Sequence, residues 1–186
     1  MFSSLSRVKS GFYTMLAHDV LATFAFSFVF LFFLQHGYSL EWIIASYVLY
    51  AAIAIIVCST VRTYSIKTFL MLSFIGYSLI SLNVWFYTQY SLLIYAIMLS
   101  ILIIFYWLPL NYLFFKSSSK LTGAMDSSFY MVFPSILGII MPPLGAYVIK
   151  TLGYSWLFGF AAVLFPLCIY SLEICSTRKS AHCPFS

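Results

Sequence analysis

Leu92–Phe115 reads LLIYAIMLSILIIFYWLPLNYLFF and holds no charged side chain. As a helix rising 1.5 Å per residue it reaches about 36 Å, enough to cross a bilayer core of roughly 30 Å. Five further apolar stretches accompany it: Tyr13–Leu34, Trp42–Val61, Thr68–Trp85, Ser128–Tyr147 and Trp156–Leu172. The chain is 63% hydrophobic and 7% charged, with a mean hydropathy of +1.03. A water-soluble domain of 186 residues has too little polar surface to hide that much apolar area. The reading is an all-α integral membrane bundle of six transmembrane helices.

The basic residues orient it. Arg7 and Lys9 precede the first stretch, Arg62 and Lys67 separate the second from the third, Lys116 and Lys120 separate the fourth from the fifth, and Arg178 and Lys179 follow the sixth. If successive stretches alternate in direction, these residues share one compartment and Lys150 alone faces the other. Lys and Arg accumulate on the cytoplasmic side, so both termini are expected in the cytoplasm, the membrane being the cell membrane. The formal charge of +5 is then a topology signal. Its dispersal over several loops argues against a nucleic-acid surface. The first stretch is too long for the apolar core of a signal peptide, and no small-residue cleavage site closes it. It is expected to stay as a helix.

Three segments follow: a cytoplasmic arm over 1–12, a transmembrane domain over 13–175 and a disordered cytoplasmic tail over 176–186. Short loops make consecutive helices antiparallel and, for the most part, neighbours. Cys58 and Cys168 lie in apolar stretches, while Cys175 and Cys183 flank the reducing end, so no disulfide framework is expected. His182 beside Cys183 is too sparse for a metal site. Neither a phosphate-binding G-x-x-x-x-G-K-[ST] loop nor an H-E-x-x-H motif occurs, and the acidic residues number four. The chain is therefore not read as an enzyme, and no cofactor or metal is expected.

Proline and glycine concentrate in the fifth stretch, at Pro134, Gly138, Pro142, Pro143 and Gly145. Each proline removes a backbone donor, which a bilayer tolerates only where neighbours or a cavity satisfy the freed carbonyl. Gly138 and Gly145 stand seven apart, on one helical face where another helix can approach closely. Pro109 and Pro166 are further kink positions.

Intramembrane ionisable groups are costly and point to function. Asp19, beside His18, lies within the first stretch. Two readings stand: a carboxylate that carries a proton or a cation, or a cap at a helix start near the interface. His18 is expected at the interface. Trp107 and Asn111 are four apart and share a face, with Tyr106 pointing elsewhere. Asn111 either meets a solute or joins helices. Asn83 is expected to pack. Asp126 opens the fifth stretch, where it complements the helix dipole or takes part in a gate. Trp42, Trp85 and Trp156 suit an interfacial belt.

Three pieces resemble the major facilitator superfamily of secondary transporters. Phe105-Tyr106-Trp107-Leu108-Pro109-Leu110-Asn111 is similar to the middle of its fourth helix. Met141-Pro142-Pro143-Leu144-Gly145-Ala146 is similar to its fifth-helix Gly-Pro-x-x-Gly-Gly motif, with Met and Ala at the ends. Gly153-Tyr154-Ser155-Trp156-Leu157-Phe158 is similar to the Gly-x-x-Trp-x-Phe entry to its sixth helix. His36–Leu40 suits the first external turn. Arg62–Lys67 suits the loop that in the family carries Asp-Arg-x-Gly, but Val61 stands at the Asp position and Tyr64 at the Gly position.

The resemblance is to the N-terminal six-helix half of a twelve-helix protein. It implies two three-helix inverted repeats, with helices one, two, four and five lining a cavity and three and six outside. It implies transport of a small solute by alternating access, with a proton or sodium as coupling ion, completed by a homodimer or a second six-helix half. Asp19, Tyr106, Trp107 and Asn111 are then the residues for substrate or ion coupling. Arg62, Lys67, Asp126, Pro142, Pro143 and Gly145 are those for gating or flexing. The altered loop favours a second reading, a non-transporting membrane protein that is a relic or a partner-binding subunit. The lipid bilayer is the surrounding partner in either case.

Alternation is open to a direct check. In a chain whose four cysteines are replaced by serine, Lys67→Cys and Lys150→Cys are expected to react with an impermeant maleimide from opposite faces of sealed vesicles. Labelling of both from one face overturns the topology.

Overall fold

In the computed structural model the backbone is described over residues 15–61, 65–117 and 123–177, and side chains over 15–61, 65–112 and 132–168. The arm 1–12, Arg62, Lys120 and the tail from residue 178 lie outside the described residues, as do the side chains of Lys116, Asp126 and Glu173. Helices account for nearly all of what is described, and no strand occurs there. Helix α1 covers residues 15–26 and, after a two-residue turn, α2 covers Val29–Gln35. Then come α3 (Leu40–Thr60), α4 (Ile66–Trp85), α5 (Ser91–Ser117), α6 (Gly123–Leu152) and α7 (Tyr154–Thr177).

Five of these spans have the length and apolarity to cross a bilayer: Met15–Gln35, Leu40–Thr60, Ile66–Trp85, Ser91–Tyr112 and Val132–Leu152. Tyr154–Cys168 of α7 is a shorter apolar helix. A protein with several membrane-spanning helices is thus the architecture. The prolines do not end the helices that hold them: α5 continues through Pro109, α6 through Pro134, Pro142 and Pro143, and α7 through Pro166. The break comes instead at Ser27–Phe28, where no proline stands. Ser27 Oγ donates to the Thr23 carbonyl at 2.6 Å, a back-bond that competes with the helix ladder.

Three turns meet at one end of the bundle, as alternating spans require. Gly37 leaves α2 with φ of 86° and Gly153 leaves α6 with φ of 89°, the left-handed backbone that glycine adopts without a Cβ clash. Tyr38 Oη donates to the Gln89 carbonyl at 2.6 Å, and Tyr87 Oη to the His36 carbonyl at 3.4 Å. Phe32 sets its ring edge-on to Tyr87 and Tyr154, at 5.5–5.8 Å. Burial first, and Tyr87 next, push the Tyr38 hydroxyl above the usual phenol range, so it keeps its proton and its bond. Between α4 and α5 the turn closes reciprocally: Asn83 Nδ2 donates to the Ser91 carbonyl at 3.0 Å, while Ser91 Oγ donates to the Asn83 carbonyl at 3.2 Å. Asn83 therefore serves packing, as expected.

Helix neighbours follow chain order only in part. α4 packs on α5 and α6 on α7, but α4 packs as closely on α7, and α3 leans on α5 instead of on its successor α4. Half of the α4 span is buried, against 6% of α3 and 11% of α6. Small residues explain the position of α4. Gly76 is buried against Leu102 of α5, and Ser78 Oγ reaches the Ala162 carbonyl of α7 at 2.5 Å. Small side chains let helices approach where water supplies no driving force. Ser73 and Ser81 turn their hydroxyls onto the carbonyls of Leu70 and Tyr77 within α4, so their burial leaves no donor unmet.

The α4–α5 seam yields a stability prediction. A Cβ at Gly76 would overlap the Leu102 side chain. Gly76→Ala is expected to destabilise the bundle by about 1–3 kcal/mol, as overpacking does, in an unfolding titration with denaturing detergent. Leu102→Ala in the same chain is expected to recover part of the loss; simple additivity of the two losses would refute the contact.

Candidate functional site

The first span brings two adjacent ionisable residues into the bundle interior. His18 is 3% exposed and Asp19 8%. Residues 15–18 are already helical, so Asp19 follows a formed turn and does not cap a helix start; the capping alternative fails. The ring of His18 is enclosed by side chains of α4, α5 and α7. It stacks on Tyr106 of α5 at 3.6 Å and 19°. Tyr77 of α4 meets it edge-on at 4.5 Å, and Phe74 of α4 and Phe165 of α7 stand at 5.8 Å.

Depth follows from helix rise. Asp19 precedes Gln35 by 16 residues and Tyr106 follows Ser91 by 15, which sets both roughly 22–24 Å below the turn-bearing end. Along the bundle axis both lie toward the end that carries Lys67.

The hydrogen-bond set is small. Asp19 Oδ1 accepts from Tyr106 Oη at 3.1 Å and pairs with His18 Nδ1 at 3.1 Å. Tyr106 Oη also lies 3.4 Å from the Met15 carbonyl, a longer alternative for its single proton. With the His18 proton on Nδ1, the imidazole donates to the carboxylate and Nε2 is left as an acceptor. Nε2 of His18 and Oδ2 of Asp19 are buried with no hydrogen-bond partner among the described residues. Unmet polar atoms at this depth are expensive. With one proton beyond carboxylate and neutral imidazole, the pair is net neutral whichever partner holds it. The arrangement leaves one further polar atom on each residue, Nε2 and Oδ2, for a partner other than the described residues. It offers too few oxygens for a metal cage, and no cluster of three or more His, Cys, Asp or Glu occurs among the described residues.

From His18 a run of touching rings leads to the far turns. Tyr77 leans on Phe26, Phe26 on Tyr95, Tyr95 on Phe33 and Phe33 on Tyr38, with centroids 5.5–6.2 Å apart. Phe165 stacks on both Tyr77 and Phe26, at 5.3 and 5.9 Å. The interior between α1, α2, α4, α5 and α7 is therefore aromatic along its length.

The other coupling residues divide. Tyr106, which shares no face with Asn111, is the one that reaches Asp19. Trp107 stands edge-on to the Tyr106 ring at 5.4 Å and is half-buried. Asn111, half-buried, lies one turn further along α5. Among the gating residues, Lys67 is exposed in the first turn of α4. Gly145 is buried, and a Cβ there would come 2.6 Å from the Phe28 ring and 2.8 Å from the Phe24 carbonyl. It thus presses on the α1–α2 break, two residues beyond Pro142–Pro143. Gly138 differs from the expectation that it admits a helix: among the described residues nothing lies within 4 Å of its Cβ position. Pro142 and Pro143 free the carbonyls of Gly138 and Ile139, both exposed residues, Ile139 at 75%.

Sequence reading missed the break at Ser27 and the part of His18. The Thr23–Ser27 spacing of four was a signal for the first, and the charged doublet His18–Asp19 inside an apolar run was one for the second.

Tyr106→Phe removes the donor to Asp19 and leaves the stack on His18. The expected cost is about 0.5–2 kcal/mol, the range of intramembrane hydrogen bonds, read by the same detergent titration. In Asp19→Leu chains Tyr106→Phe is expected to cost markedly less; an equal cost would show the bond to be idle.

No family model, no curated protein and no solved structure matches this chain.

Proposed function

We propose that the chain is a half-size secondary transporter, similar to the major facilitator superfamily, that moves a small solute by alternating access. A second copy, or a second six-helix half, completes the pathway. The carrying observation is the buried His18–Asp19–Tyr106 cluster, in which His18 Nε2 and Asp19 Oδ2 find no partner among the described residues. A bundle that served only to fill the bilayer would gain nothing from an ionisable pair at that depth.

Two further observations support the reading. The carbonyls freed by Pro142 and Pro143 belong to exposed residues on α6, and lipid cannot satisfy them. A water-lined cavity or a facing copy can. The α1–α2 break also lies against Gly145, so two irregular helices meet inside one bundle, as in transporters with discontinuous helices.

In this scheme Asp19 is the coupling group for a proton or sodium, and Tyr106 holds its carboxylate. Trp107 and Asn111 flank the solute path. The Ser27–Phe28 break with Pro142, Pro143 and Gly145 absorbs the conformational change. Arg62, Lys67 and Asp126 form the cytoplasmic gate, with both termini on that side of the cell membrane. The spans divide into two inverted three-helix repeats.

A second reading rests on the loop after α3. Val61 and Tyr64 replace the Asp and Gly of the family motif, which removes the acidic partner from the gate. On this reading the chain is a membrane-embedded subunit that binds another membrane protein and transports nothing.

Native mass spectrometry from lipid nanodiscs, followed by solute-evoked currents on a supported membrane with a panel of small solutes, separates the two. A homodimer with solute-dependent current, reduced at least about tenfold by Asp19→Asn, is the expected result. A monomer without current for any solute would refute transport by this chain alone. Current undiminished in Asp19→Asn would overturn the coupling site.

A further inference from the structure

A crevice of about 690 Å³ opens between the first turns of α3 and α5, at the end where the three turns meet. That volume is within the roughly 300–1,000 Å³ of small-molecule sites. One wall is a single face of α3, carrying Trp42, Ser46 and Leu49 at helical spacing. Leu92 and Leu93 of α5 face it, and Ser39, Gln89 and Tyr90 form the rim.

Its dimensions follow those of one leaflet. From Ser39 to Leu49 the wall descends ten residues, roughly 15 Å along a helix, which is about half of the 30 Å hydrocarbon core. Its chemistry changes along that depth. The rim and first turn present hydroxyl, amide, phenol and indole groups, with Trp42 69% and Tyr90 61% exposed. Trp and Tyr favour the level of the ester groups and headgroups. Below them only Ser46 interrupts the apolar wall, and its hydroxyl donates to the Ile43 carbonyl within α3 at 2.7 Å. Among the described residues, no Lys, Arg, Asp or Glu lines the crevice.

We propose that this crevice is a lipid site, holding one fatty-acyl chain of a glycerolipid that carries no net headgroup charge. The chain lies against Leu49, Leu92 and Leu93, and the ester oxygens accept from the Trp42 indole and the Gln89 amide. The uncharged lining selects against anionic headgroups, which would find no cation there. The site is separate from the His18–Asp19–Tyr106 cluster and stands whether or not the chain transports.

The test uses the full chain in phosphatidylcholine nanodiscs with a trace of phosphatidylcholine bearing a diazirine in its acyl chain. Adducts are mapped by mass spectrometry. Adduct density on residues 42–49 and 89–93 is expected to exceed that on the exposed α7 face carrying Phe160, Val163, Leu164 and Leu167 by about tenfold, a modest binding preference. Ser46→Trp, and independently Ala45→Phe, fill the crevice and are expected to reduce the density to the level of the α7 face, with helicity checked by circular dichroism. Equal density on both faces of the wild-type chain means annular contact only and overturns the site without either variant. Stronger labelling by a phosphatidylglycerol probe of the same chain overturns the headgroup assignment.

Discussion

Inside a hydrocarbon core no water remains to receive a hydrogen bond, so every buried polar group must find its partner in the protein. Most of this chain meets that demand locally. Serine hydroxyls at positions 73, 81 and 100 fold back onto carbonyls of their own helices. Ser78 gives its proton to a carbonyl of α7, and the Asn83–Ser91 pair closes a turn on itself. These arrangements leave α4 polar enough to be specific and small enough to be central. The helices around it bury what they can against α4 and leave the rest, above all on α3 and α6, facing outward.

Two places do not balance locally, and they are where function is argued. One is the His18–Asp19 pair, of which one nitrogen and one oxygen stay unmet among the described residues. The other is the α6 backbone before Pro142–Pro143, where carbonyls lose their helical donors on an exposed stretch. Both leave polar groups whose partners are not among the described residues or must come from local adjustment of the backbone. The aromatic packing around His18 explains how the pair is tolerated. Stacking on Tyr106 and edge contacts with Tyr77 and Phe74 surround the imidazole with polarisable faces without offering a second acceptor or donor. The pair is thus held firmly in position and only partly satisfied.

Much of the fold is legible in the chain because hydropathy is a property of consecutive residues. Twenty apolar positions in a row specify a bilayer-crossing helix whatever lies beside it, and Gly37 and Gly153 mark turns through backbone freedom alone. Asp19 stood out for the same reason, a charge in an apolar run. Tertiary contact decided the rest. Tyr106 meets Asp19 across 87 residues, and no periodicity within α5 distinguishes the ring that points there from Trp107 beside it. Gly138 and Gly145 look equivalent seven residues apart, yet only Gly145 touches another helix. The pairing of α4 with α7, and of α3 with α5, depends on which faces carry small residues at matching depth. That is a relation between segments, and a bilayer that is equally apolar on every side gives no segment a preferred face of its own.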